Sequence, residues 1–67
     1  MKRAIIKVFT SGLNVLYYTG RAGGEWLTED AAEAYEYSLQ IAQRKAAELQ
    51  KTYLLVGLMF EAVEKPA

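Results

Sequence analysis

Four carboxylates crowd one stretch of this sequence, Glu29, Asp30, Glu33 and Glu36. At that density they could serve acid-base catalysis or hold a divalent ion. General acid or base work needs a carboxyl whose pKa is moved by burial or by a paired charge. These four fall on consecutive turns of a predicted, solvated helix start, so catalysis is not expected of them. Asp30 with Glu33, or Glu33 with Glu36, has the i,i+3 spacing to touch a cation. The chain has no histidine and no cysteine, however, and so lacks the usual ligands of a transition-metal site and the commonest acid-base and nucleophilic groups. No catalytic residue, metal or cofactor is predicted, and the chain reads as a non-enzymatic protein.

Two further groups bear on chemistry. Gly20-Arg21-Ala22-Gly23-Gly24 precedes a helical stretch, as phosphate-binding loops do. It lacks the Gly-Lys-Ser/Thr ending, and a short strand intervenes, so a hairpin turn explains it better. The aromatic residues Tyr17, Tyr18 and Trp26, with Arg21 and Lys7, form the alternative reading: a face that stacks single-stranded bases. Charge argues against nucleic acid as the main partner. Net charge is zero, about +3 over residues 1 to 27 and about −3 over residues 28 to 67, without the clustered basic stripe of a duplex binder.

The elements that must position these groups follow from periodicity. Arg3 to Thr10 alternates with period two and is rich in β-branched residues, which predicts a strand. Ser11-Gly12 is a turn dipeptide, and Leu13 to Thr19 resumes strand composition. A two-residue loop there sets Thr10 opposite Leu13, Val8 opposite Val15 and Ile6 opposite Tyr17, with Phe9, Lys7 and Ile5 meeting Asn14, Leu16 and Tyr18 on the other face. Glu25-Trp26-Leu27 is long enough only for a short third strand, with Trp26 expected against the helix start. Thr28 is a candidate N-cap for a helix running to about Lys51.

On a helical wheel Ala31, Tyr35, Leu39, Ala42, Ala46, Leu49 and Tyr53 share one apolar arc, flanked by a stripe of Ala34, Tyr37 and Ile41. A break near Tyr37, with Ser38 capping a second helix from Leu39, is the alternative. The last strand is predicted from about Thr52 to Glu64. Leu54, Val56, Leu58, Phe60 and Ala62 would face the helix, and Tyr53, Leu55, Gly57, Met59, Glu61 and Val63 the opposite side. Strand order 2-1-4 places the first strand in the middle. The fold class is α+β: a small antiparallel sheet built of a β-hairpin, a short third strand and a C-terminal strand, with one long helix on one face, in a single domain over 1–67.

A domain of 67 residues buries only about 60% of the surface its unfolded chain exposes. Without cysteine it has neither disulfides nor thiolate metal sites as staples, which leaves association. One helix covers one sheet face. The candidate protein interface is therefore Ile5, Phe9, Leu16, Tyr18, Leu55 and Met59 on the other face, with Tyr37 and Ile41 beside it. The expected partner is a protein, either a second copy in a homodimer or a host protein. No apolar run approaches the ~20 residues of a membrane span, and no signal-peptide pattern follows Lys2 and Arg3, so a soluble, cytoplasmic protein with no membrane partner is expected.

Tyr17-Tyr18-Thr19-Gly20-Arg21 and Gly24-Glu25-Trp26-Leu27-Thr28-Glu29-Asp30, followed by Ala34, Tyr37, Ser38 and Ala42, resemble a pattern in small accessory proteins encoded by phages and prophages. There an aromatic strand, a glycine turn and a short Trp strand ending in Thr-x-Asp lead to a helix with spaced alanines and a last strand. The resemblance covers roughly residues 14 to 60. Leu39 and Ile41 stand where such proteins often carry acids. It implies a β-β-α-β architecture and a phage protein that inhibits a host protein, including host-defence complexes.

Overall fold

The computed structural model describes residues 3–12, 14–21 and 23–65. Lys2 of the basic start and Leu13 of the expected hairpin lie outside them. A five-stranded antiparallel sheet is built around β1 (Arg3–Phe9), the strand with the cleanest alternation. β2 (Val15–Tyr18) pairs with one edge of β1 and β5 (Met59–Glu64) with the other, so the first strand is central, as the order 2-1-4 requires. β3 (Leu27–Thr28) extends the sheet beyond β2. β4 (Tyr37–Ser38) pairs with Arg3 and Ala4. Because β5 already holds the opposite edge of Ala4, β4 continues the β2 edge.

The hairpin register differs from the expected one by a single residue. Lys7 faces Tyr17, Val8 faces Leu16 and Phe9 faces Val15. The Thr10 N–H donates to the Asn14 carbonyl at 3.1 Å, so the loop holds three residues instead of two. A one-residue slip turns every side chain of a strand to the other face. Leu16 and Tyr18 therefore lie on the helix side with Val8, and Val15 and Tyr17 on the open side with Phe9 and Lys7.

The helix is shorter than the long one expected. α1 spans Leu39–Thr52, 14 residues, and Ser38 is its N-cap, with the Ile41 N–H donating to the Ser38 hydroxyl. The break near Tyr37 is thus the arrangement adopted, despite Leu39 and Ile41. The cause is lateral pairing: the Tyr35 N–H donates to the Tyr18 carbonyl at 3.0 Å, and Tyr37 and Ser38 bridge to β1. These sheet bonds override helix propensity in residues 29–37. Thr28 caps no helix. Its hydroxyl accepts from the Asp30 N–H at 3.1 Å, and the Asp30 carboxylate accepts from the Ala32 N–H at 2.9 Å, opening a short 3-10 turn at Ala31–Glu33.

The core is the helix side of β1 under α1. Ala4 and Ile6 cluster with Ala42, Ala46 and Leu49, and Leu39, Tyr53, Phe60 and Ala62 pack against them. The apolar arc of the helical wheel holds within α1, whereas Ala31, in the 3-10 turn, and Tyr35 fall outside α1. Ile6 and Val8 are fully buried, which contributes about 1.5–3 kcal/mol each. Alanines at positions 42 and 46 let α1 approach the sheet closely.

Candidate functional site

The expected last strand does not begin at Thr52. α1 ends where Tyr53 leaves helical geometry (φ −110°, ψ 18°), although its N–H still donates to the Leu49 carbonyl at 2.9 Å. Leu54–Val56 then form a 3-10 turn, closed by the Val56 N–H on the Tyr53 carbonyl at 3.2 Å. Gly57 takes the left-handed conformation (φ 77°) that ends it, a geometry glycine adopts without the Cβ penalty. The chain must reverse from helix into β5 within this segment, and the turn that does so carries three large aliphatic residues outward. Leu55 is 98% exposed, Val56 65%, Leu54 63% and Met59, which opens β5, 61%.

Leu54 and Val56, expected on the helix side of a strand, are instead solvent-exposed in a turn. Leu58 is half-buried before β5 starts and is not part of the core cluster. Its carbonyl accepts from the Gln50 amide at 3.0 Å. Met59 sits beside Phe9, and Phe9 beside exposed Val15, in a row across the open face of three strands. Only Gly57 and Leu58 separate the exposed turn from Met59 at the near end of this row, and the turn with Met59 makes up an apolar tip.

The other residues expected at the interface separate. Ile5 is on the open face but only 5% exposed. Leu16 and Tyr18 are on the helix face because of the register change. Tyr37 packs on the core side from β4, and burial raises its phenol above the ordinary value, with Tyr18 and Tyr35 adding to the rise. Ile41 is 52% exposed on α1, so Tyr37 and Ile41 do not form one helical stripe. Of the eight, the structure sets Phe9 beside Met59 and leaves Leu55 exposed in the turn that precedes Met59. The expected list lacked Leu54 and Val56, although Gly57 within an apolar run is the signal of a turn there.

A second feature lies on the other side of Tyr53. Trp26 was expected at the helix start but packs at its end, stacked on Tyr53 with centroids 4.9 Å apart and planes 25° apart, and edge-on to Tyr18 at 6.4 Å. Tyr18, Trp26 and Tyr53 line a pocket of about 220 Å³ with Arg21, Gly23 and Leu49. Lys45 stands over the Tyr18 ring, 5.9 Å from its centroid. The glycine loop is held by Thr19, which is buried. The Thr19 hydroxyl donates to the Glu25 carbonyl at 2.7 Å and accepts from the Arg21 N–H at 3.1 Å, and its N–H donates to the Trp26 carbonyl at 2.9 Å. Of the base-stacking group, Tyr18, Arg21 and Trp26 thus come together, whereas Tyr17 and Lys7 face each other on the open side of the sheet.

Three of the four clustered acids have separate structural partners. Asp30 caps a turn, Glu33 accepts from the Thr28 hydroxyl at 3.1 Å, and Glu36 pairs with Lys65 at 2.6 Å. The Lys65 ammonium holds the Glu36 carboxyl below its ordinary value, first through the hydrogen bond and then through its charge, with a smaller contribution from Arg3. Among the described residues no helix is long and apolar enough to cross a membrane. No protein-family model matches the chain, and no curated protein or solved structure matches it significantly.

Proposed function

We propose that this is a non-enzymatic protein-association module that self-associates through its apolar tip, a second copy covering Leu54, Leu55, Val56 and Met59. The observation that carries the reading is the turn itself. Three consecutive large aliphatics stand more than half exposed on a chain with only 67 residues from which to build a core. Apolar residues scattered singly on a surface need no explanation, whereas a contiguous patch marks an interaction site. A closed two-fold contact buries the same patch on both copies at once. Small domains without disulfides or metal gain stability by this route.

The resemblance of residues 14 to 60 to phage-encoded accessory proteins supplies a setting. The dimer would act in the host cytoplasm by binding and inhibiting a host protein such as a defence complex. Sedimentation of the native chain beside Leu55→Asp tests the association. Co-purification from host extract with the native chain as bait, and with Leu55→Asp as control, tests the inhibitor setting.

A further inference from the structure

The pocket at Trp26 is independent of the apolar tip in both chemistry and test. Its walls are the rings of Tyr18, Trp26 and Tyr53, so a planar ring is the shape it accommodates. Its rim is cationic. The side chain of Arg21 is 59% exposed, and its 3.9 Å ion pair with Glu25 is longer than a hydrogen bond, so that contact satisfies none of the guanidinium donors. Lys45 does not line the pocket, but its ammonium over Tyr18 places a second positive charge nearby, leaving one positive charge in excess of Glu25. At about 220 Å³ the cavity is smaller than the ~300–1,000 Å³ that encloses a drug-sized molecule. It therefore fits one ring system, with any charged group of the ligand left at the rim.

From these observations we infer that the pocket is a binding site for a single nucleotide. The base lies against the aromatic walls and the phosphate meets the Arg21 guanidinium. Stacking supplies sequence-tolerant attraction, because every base has a π-face, and the guanidinium fork matches two phosphate oxygens. The Thr19 knot fixes the loop that carries Arg21, so the backbone of the site is formed before any ligand arrives. The same chemistry is offered by a free nucleotide and by one residue of a single strand. Lys7 and Tyr17 face each other on the open side of the sheet, away from the group that meets at the pocket, so they do not extend the site along a strand.

Trp26 is the only tryptophan of the chain, and its fluorescence reports directly on the pocket. The native protein is titrated with adenosine monophosphate, adenosine, inorganic phosphate and a single-stranded oligothymidylate, with calorimetry alongside. Saturable quenching by the monophosphate is expected, with a dissociation constant on the order of 0.1–1 mM. Adenosine should bind about tenfold more weakly, and phosphate alone should leave the emission unchanged. Arg21→Gln, at an exposed position, should keep the native circular dichroism and lose about tenfold in affinity for the monophosphate. An oligothymidylate that binds more tightly than the monophosphate identifies a single strand as the source, and equal or weaker binding identifies the free nucleotide. Absence of saturable binding by both the monophosphate and the oligothymidylate overturns the inference. So does a monophosphate affinity unchanged by Arg21→Gln.

Discussion

The side-chain amide of Gln50 on α1 accepts a hydrogen bond from the Phe60 N–H of β5 at 2.8 Å, while its own NH₂ group donates to the Leu58 carbonyl at 3.0 Å. This is the pair of bonds that a neighbouring strand would offer to β5 on the edge turned away from β1. An unprotected edge strand is a template for pairing with another chain, and Gln50 occupies the start of this one. Gln50→Leu should cost about 1–2 kcal/mol from two lost side-chain bonds. It should also create concentration-dependent association that persists when Leu55→Asp is added. Denaturant melts and sedimentation of the single and double variants check both parts.

Trp26, just before β3, joins β2, the end of α1 and β5 through its contacts with Tyr18, Tyr53 and Phe60. It is half-buried, so Trp26→Ala should fall at the low end of large-to-small aromatic substitutions, about 3 kcal/mol. Total stability for a domain this size is about 3–10 kcal/mol, and the variant should be near or past its unfolding threshold at 37 °C. Loss of cooperative thermal unfolding by circular dichroism is the expected readout. A native-like melting temperature would show that the aromatic cluster contributes little.

Gly20 has φ 78°, and a Cβ placed there would stand 3.1 Å from a ring carbon of Tyr35. Gly23 has φ 81° with open space around it. Both replacements by alanine carry the left-handed backbone cost of about 1–2 kcal/mol, and only Gly20→Ala adds a steric conflict. Gly20→Ala should therefore be the more destabilising of the two in urea titrations. Equal effects would mean that Tyr35 moves aside freely.

Much of this architecture can be read from the sequence, and the failures have specific physical causes. The alternation of Ala4, Ile6 and Val8 identifies the central strand and its core face. The spacing of Leu39, Ala42, Ala46 and Leu49 identifies the helix face that covers it. Leu54 to Phe60, apolar at every position, carries no period-two signal, so a 3-10 turn and a strand are indistinguishable there except at Gly57. The hairpin slip rests on one loop residue, which pattern alone does not count. Residues 29–36 are rich in helix formers, but the Tyr35 bond to β2 and the pairing of Tyr37 and Ser38 with β1 draw the segment to the sheet through contacts distant in sequence, a tertiary effect that local propensity does not contain.

The Lys65–Glu36 pair ties the end of β5 to the segment before β4. The folded-state value of Glu36 is below its ordinary 4.5, so the pair contributes stability above that ordinary value. The contribution is lost as pH falls through the lower folded value. Native protein should be more stable than Glu36→Gln at about pH 6.5, and the difference should shrink as pH falls below the ordinary glutamate range of about 4.3. Urea midpoints of the two proteins across this range check it, and a gap that widens at low pH would contradict the assignment.

In the proposed self-association the exposed turn is an interface between two copies. Leu55, with 98% of its surface in water, makes no packing contribution whose loss would unfold the domain, so Leu55→Asp separates association from folding. Sedimentation equilibrium of the native chain and Leu55→Asp at matched high micromolar concentration, with circular dichroism of both, is the most direct measurement. A native dimer of twice the 7.5 kDa chain mass and a monomeric Leu55→Asp with an unchanged spectrum are expected. A native chain that sediments as a 7.5 kDa monomer, or a Leu55→Asp that remains dimeric, would contradict it.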